Sequence, residues 1–335
     1  MSTFSTPPPS FSTEEASDMV FELYDLAANA IPLTSERDQN FICSTHDSQK
    51  LVLKISNPGE DRGVLEMQNV CMKYIHDHDA TLQVPYVITS NEATDIIEYT
   101  KGSTTYLVRL VSYLPGILLN DISHNLSVLY DWGSFLGRLC VAMSGFDHSA
   151  ANREFQWDIS NIDFIKCHKH HISDSEDVVD HFLGLYEQNV CPNATNLRRA
   201  VIHNDGHGHN ILVSNDGDIC GIIDFGDVVK SFVACEPAVG MASVALEKEE
   251  PLESIAQVLK GFHEKFPLTT DELLSVIFLV CIRSCITVTM AAYRKKLFPE
   301  NEYISVSEEK AWHFLKKMRT EDLHEWGQAL LNYAE

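Results

Sequence analysis

Apolar and polar residues follow two periods along this chain. In "STEEASDMVFELYDL", Met19, Val20, Leu23 and Leu26 give one apolar helical face. Ser12 followed by Glu15 has capping-box spacing, so a helix is predicted over about 13–28. "NFIC" and "KLVLKIS" flank the polar stretch "STHDSQ" and read as a hairpin. "GVLEMQNVCMKYIHDH" returns to the helical period, with apolar residues at 64, 67, 71, 74 and 75. "QVPYVIT" and "TYLVRLVSYL" read as two more strands, antiparallel across the polar "SNEATD" region, and Pro115 and Gly116 end the sheet.

Beyond Gly116 the helical period dominates. "LSVLYDWGSFLGRLCVAMSGF" is one helical pattern; "SDSEDVVDHFLGLYEQNV" is another, with Ser173 and Glu176 at capping-box spacing. "NILVS" and "ICGIIDF" are short strands joined by the turn "NDGD", and the remainder reads as helical. Arg283 interrupts the most apolar stretch, residues 275–293, which predicts a buried helix and not a membrane span. The pattern predicts an α+β protein. A strand-rich unit over 11–114 precedes a larger, mainly helical unit over 115–335, and residues 1–10, with three consecutive prolines, read as a disordered lead-in.

Composition narrows the function. The chain has 335 residues, enough for two lobes. Its formal net charge of −23 argues against nucleic-acid binding, which needs a basic face; it mildly favours a cationic substrate, and fits a plain soluble acidic surface at least as well. Nine scattered cysteines, an odd number, and an N-terminus without an apolar core segment predict reduced thiols in the cytoplasm.

The chemistry gathers in "HNDGHGHN", residues 203–210. Its three histidines suggest zinc, but Gly206 and Gly208 make the segment a loop, on which His203, His207 and His209 share no face. The second cluster, "CHKHH" at 167–171, is as loose. His203-x-Asp205-x4-Asn210 matches a different scheme, the phosphoryl-transfer loop of kinases. There an aspartate receives the proton of the attacking hydroxyl, and an asparagine five residues later holds Mg2+. Asp224 in "GIIDFG" follows at the end of the next strand, where the second Mg2+-binding carboxylate belongs. Asparagine plus aspartate is an oxygen donor set that suits Mg2+.

Lys54 in "LVLKIS" lies on a strand, facing opposite to Leu53 and Ile55, and Glu66 follows in a helix. A strand lysine oriented by a helix glutamate grips nucleotide phosphates in kinases. No G-x-G-x-x-G occurs near the N-terminus, which points away from a protein kinase and towards a small-molecule kinase.

These segments resemble the aminoglycoside phosphotransferase and choline kinase-like superfamily. Within it, "DQNF", "GIIDFGD" and "MAAYRKKLFPEN" are most similar to the hydroxylysine kinase family. The resemblance spans about residues 11–320. It implies the two-lobed protein-kinase-like fold, with a small antiparallel β-sheet N-lobe and a larger helical C-lobe. It also implies GTP-dependent phosphorylation of the side-chain hydroxyl of 5-hydroxylysine. By the same resemblance, Asp205 is the base, Asn210 and Asp224 hold Mg2+, Lys54 binds phosphate and Glu66 orients it. "SYLPG" matches the hinge, where backbone groups around Ser112 to Leu114 meet the nucleotide base. His203 shapes the loop, and Glu236, before Pro237, braces it.

A hydroxylated lysine carries two ammonium groups and one carboxylate. Asp227 is the candidate for an ammonium, Arg283 for the carboxylate and Trp157 for a pocket wall. For Arg283 the competing expectation is an internal ion pair with an acidic side chain; for Trp157 it is plain core. The residues leave GTP against ATP open, as they do homoserine, choline or an aminoglycoside as acceptor. An inactive nucleotide-binding module and a histidine-based metal hydrolase are the other classes, and oligomeric state is silent.

Overall fold

A computed structural model describes residue 3, residues 5–298 and residues 307–335. Pro299, Glu300 and Asn301 of the "MAAYRKKLFPEN" segment lie outside the described residues, as do Met1, Ser2 and Phe4 of the lead-in. The chain forms two compact units: residues 1–73 with 83–115, and residues 74–82 with 116–335.

The first unit is built on an antiparallel sheet. Its strands are β1 (Ala28–Leu33), β2 (Gln39–Thr45), β3 (Lys50–Ile55), β4 (Val87–Ile88), β5 (Ile97–Lys101) and β6 (Thr104–Ser112), in the order β1-β2-β3-β6-β4, with β5 also on β6. Helix α1 (Thr13–Tyr24) opens with the predicted capping box: Glu15 N–H donates to Ser12 Oγ and Ser12 N–H to Glu15 Oε2. It ends four residues before the predicted 28, because Asp25 turns left-handed at φ +56°. Strands β1 and β5 are additions to the expected set. β1, "ANAIPL", is an edge strand with one buried residue, so it shows no alternation. β5 joins β6 through Gly102 at φ +63°.

One face of the sheet packs with Met19, Val20 and Tyr24 of α1, through Leu51, Leu53 and Ile55 of β3 and Val108 and Leu110 of β6. The alternation of β3 and β6 places Lys54 and Arg109, cross-strand partners, on the other face. Arg109 is buried and donates to side chains of α2 (Arg62–His78): Gln68 Oε1 and Asn69 Oδ1, both at 2.7 Å. Part of the lead-in contacts the rest of the first unit. Asn57 Nδ2 donates to the Thr6 and Pro7 carbonyls, and Lys101 Nζ to the Ser10 carbonyl.

The second unit is mainly helical. It contains α3 (Leu126–Ala142), α4 (Asp163–His168), α5 (Glu176–Asn189), α6 (Cys235–Ala245), α7 (Leu252–Lys265), α8 (Thr270–Leu297), α9 (Glu308–Met318) and α10 (Leu323–Ala334). α3 and α7 meet backbone to backbone: a Cβ on Gly133 would lie 1.8 Å from the Val258 carbonyl oxygen, so only glycine fits there. The Ser173–Glu176 capping box does not form. Ser175 is the cap residue, at φ +72° and without a side-chain bond, so Glu176 is the first helical residue and not the third. α8, the most apolar stretch, is mostly buried core, as its interrupted pattern predicts.

Two small sheets sit among these helices. β7 (Ile117–Leu118), β9 (Ile211–Val213) and β10 (Ile219–Ile222) form one, in the order β10-β9-β7; β8 (Arg199–Ile202) and β11 (Val229–Phe232) form the other. The β9–β10 hairpin is the predicted one, turning at Gly217 with φ +92°. β11 replaces the continuous helix expected after "DFG"; its four residues are too few to show a period.

Candidate active site

Strand β8 delivers the chain into the loop 203–210, and β9 carries it away. Ile211 pairs with Ile222 in the hairpin, and Ile223 N–H donates to the Asn210 carbonyl at 2.9 Å. Asn210 therefore stands opposite Ile223, and Asp224 is the next residue. The hairpin register brings the two expected metal ligands side by side. Asp224 is exposed and left-handed at φ +62°, and its Oδ1 accepts from Gly226 N–H at 3.4 Å.

Asp205 is the hub of the loop. Asn210 Nδ2 donates to Asp205 Oδ2 at 2.7 Å and to its carbonyl at 3.0 Å. Asp205 Oδ1 faces Arg283 Nη2 at 3.2 Å and His207 Nε2 at 3.3 Å. A carboxylate offers about four acceptor positions. Oδ1 has two engaged and Oδ2 one, so Oδ2 keeps a position for an incoming hydroxyl. Fixing the Asn210 nitrogen on Asp205 also turns its oxygen, Oδ1, away as a donor for a cation. Burial by itself would raise the Asp205 carboxyl, but the His207 ring and the Arg283 guanidinium hold it below the ordinary range. His207 responds in the opposite sense. Burial pulls it down, and the Asp205 carboxylate overcomes this and raises it.

The rest of the loop is fixed from behind. Asn204 is left-handed at φ +64°, and its N–H donates to Oε2 of the fully buried Glu236 at 2.9 Å. Burial pushes the Glu236 carboxyl up to about 7 against the amides of Asn204 and His203. His203 is fully buried, its ring edge-to-face with Phe225 at 4.8 Å. Its Nδ1 accepts from Asp205 N–H at 3.3 Å, and burial pushes the ring down to about 4. Sequence reasoning missed two supports. Trp132 Nε1 donates to the Gly206 carbonyl at 3.1 Å, and Arg153 Nη2 donates to the Gly226 and Val228 carbonyls after Asp224. Neither has a motif; an arginine or tryptophan far along the chain gives no local signal.

Of the expected substrate residues, Arg283 and Trp157 come together with Asp205. The Arg283 guanidinium lies over the Trp157 ring at 4.3 Å, and the Trp157 carbonyl accepts from Asn204 Nδ2. The internal ion pair weighed for Arg283 does form, and its acid is Asp205 itself. Asp227 is buried just past Asp224, and its charge helps to raise His207. His209 is exposed; its N–H donates to His207 Nδ1, and its ring lies edge-to-face with that of His207 at 5.6 Å. Among the described residues, no three His, Cys, Asp or Glu side chains gather closely enough to hold a metal ion.

In the first unit, Lys54 is half-buried on the sheet face that carries Arg109. The expected Lys54–Glu66 pairing is corrected. Glu66 is half-exposed and bound to Arg62, one helical turn back, at 3.1 Å. α2 presents Leu65, Gln68 and Asn69 to Arg109, which turns position 66 outward. Ser112 is already committed: its N–H donates to the Tyr86 carbonyl, and its Oγ accepts from Tyr86 N–H. Leu114 is half-buried beyond the strand end.

Residues 29–268 match the phosphotransferase enzyme family. Hydroxylysine kinase of Danio rerio is 30% identical over 327 residues, covering 92% of each chain. Hydroxylysine kinase of Mus musculus is 28% identical over 337 residues, covering 92% of this chain and 90% of that one. Among solved structures, amicoumacin kinase in complex with AMP-PNP, Ca2+ and Ami aligns with a TM-score of 0.72 at 14% identity, over 94% of this chain and 97% of that one. The two-unit architecture is thus the protein-kinase-like fold, with an antiparallel sheet N-terminal and helices C-terminal.

Proposed function

Because the chain belongs to the phosphotransferase enzyme family, as a kinase with an alcohol acceptor, we propose that it transfers the γ-phosphoryl group of GTP to the side-chain hydroxyl of 5-hydroxy-L-lysine. The observation that carries this reading is Asp205 held by Asn210 at 2.7 Å, with Asp224 beside Asn210 across the hairpin. The relatives named hydroxylysine kinase support this choice of acceptor.

The substrate hydroxyl docks on the remaining acceptor position of Asp205 Oδ2. As its oxygen bonds to the γ-phosphorus, the bond to the nucleotide's β–γ bridging oxygen breaks in line, and the hydroxyl proton passes to Asp205. A carboxyl held below its ordinary range is a weak base, so Asp205 acts first by aligning the hydroxyl and accepts the proton late. Asn210 Oδ1 and the Asp224 carboxylate are the oxygen donors that would hold Mg2+, which when bound neutralises charge on the phosphates. Lys54 binds the phosphates without help from Glu66. Backbone groups near Leu114 meet the base. Asp227 faces an ammonium of the substrate, and Trp157 walls the pocket. His203 and Glu236 hold the loop in shape. The same reading places the protein in the cytoplasm, where its thiols stay reduced.

A kinase assay in Mg2+ tests this by crossing GTP and ATP with hydroxylysine, homoserine, choline and an aminoglycoside. Hydroxylysine with GTP should give the highest kcat/KM. A higher value for choline or an aminoglycoside overturns the acceptor, and a higher value for ATP overturns the donor.

A further inference from the structure

Arg283 sits near the middle of α8, among apolar neighbours. Its guanidinium is held on two sides. The Trp157 ring lies against it at 4.3 Å, and Nη2 donates to Asp205 Oδ1 at 3.2 Å. The other terminal nitrogen, Nη1, is buried with no acceptor. A buried donor without a partner is costly and rare, so it marks an acceptor still to arrive.

Holding Asp205 does not account for Arg283, because His207 and Asn210 already engage that carboxylate. Nor does burial alone: around this position α8 carries Ile, Val, Leu and Cys, and its hydroxyls at Ser284 and Thr287 are spent on α8's own carbonyls, so an apolar side chain would pack there without desolvating a charge. A planar guanidinium with one nitrogen fixed and one waiting suits a second carboxylate.

We propose that Arg283 is the specificity-determining residue for amino-acid acceptors: Nη1 takes the substrate's carboxylate while Nη2 stays on Asp205. The inference rests on reading Asp205 as the base that receives the acceptor hydroxyl, and it goes further by naming the residue that recognises the acceptor's carboxylate. The acceptor is an amino acid with a side-chain hydroxyl, not a simple amino alcohol. One side chain then relates both ends of the substrate. The hydroxyl binds Oδ2 of Asp205, the carboxylate binds Nη1, and Arg283 links the two. Trp157 keeps the guanidinium plane from rotating, so a substrate of the wrong length cannot satisfy both contacts.

The test compares each amino acid with its decarboxylated counterpart, in two pairs: hydroxylysine and its diamine alcohol, homoserine and its amino alcohol. The wild-type enzyme should prefer the carboxylate-bearing member of its better pair by about 100-fold in kcat/KM. Arg283→Gln should shrink that preference to near unity, with Arg283→Lys between the two. A thermal melt checks that each variant folds. A wild-type enzyme that uses both members of a pair equally overturns the proposal, with no variant needed. A preference unchanged in Arg283→Gln, with both members slowed alike, also overturns it and leaves Arg283 as a positioning residue for Asp205. Preference for homoserine over both hydroxylysine compounds would instead refute the hydroxylysine reading while sustaining the role of Arg283.

Discussion

The chain carries two histidine clusters, and they have different fates. In the loop 203–210, His207 stands 3.3 Å from Asp205, and His203 accepts from the Asp205 amide. In the cluster at the end of α4 and just beyond it, His168 and His171 pack around Tyr293, at 4.3 and 5.6 Å between ring centres, and His170 lies against His171 at 3.9 Å. Lys296 Nζ bonds His171 Nδ1 at 3.0 Å. Burial and the neighbouring positive groups lower His168 and His171, whereas the Asp205 carboxylate raises His207. Histidine content therefore says little about a site. What distinguishes the loop is one carboxylate whose acceptor positions are nearly all assigned.

The comparison breaks most sharply if that carboxylate is neutralised. Asp205→Asn should lower kcat by at least about 1,000-fold while nucleotide binding survives, read by steady-state kinetics beside a nucleotide titration. Turnover close to wild type would remove Asp205 from the chemistry. Asn210→Ala should cost about 10- to 100-fold in Mg2+ affinity, seen as a shift of the half-saturating Mg2+ concentration in the same assay. An unchanged Mg2+ dependence would take Asn210 out of the metal site.

A third test uses pH. His203, pushed down to about 4, is neutral in the folded state, whereas the unfolded chain takes up its proton near 6.5. Its contribution is whole above about pH 6.5 and disappears as pH falls towards 4, a loss of about 3 kcal/mol. Glu236, pushed up to about 7, has the opposite sign. Its folded form keeps a proton that the unfolded chain releases near 4.5, so stability falls as pH rises from there to about 7. The two offset each other between about pH 4.5 and 6.5. Glu236→Gln keeps an oxygen acceptor for Asn204 and removes the titration. Its melting temperature should drop on acidification across this window more steeply than that of wild type. Parallel melting curves would show that Glu236 does not titrate there.

The smallest effect sharpens the contrast. His171→Gln should leave kcat/KM within about twofold, as expected of a surface change away from the reacting atoms. A loss beyond tenfold would mean that the second cluster also serves catalysis.

The parts of this fold that sequence foretold are those fixed within a few residues. The Ser12–Glu15 capping box closes within one helical turn, and the β9–β10 hairpin closes within its own turn. The neighbouring positions of Asn210 and Asp224 follow from that hairpin. The misses are longer-range. Ser173 has capping-box spacing, but the left-handed Ser175 starts the helix elsewhere. Strand β11 is a strand because β8 is there to pair with it.

The sequence by itself determined the order of the chemistry: a strand lysine, an aspartate with an asparagine five residues on, and a carboxylate at the next strand's end. Such spacings survive in one dimension because the elements that use them are contiguous. Only the tertiary structure decided which charges meet. Glu66 is four residues from Arg62 and lies on an outward helical face, so it pairs there and not with Lys54. Arg283 is 78 residues from Asp205, yet the packing of α8 brings it to 3.2 Å, with Trp157 alongside. Charge pairing depends on distance and burial in space, and neither can be read from separation along the chain.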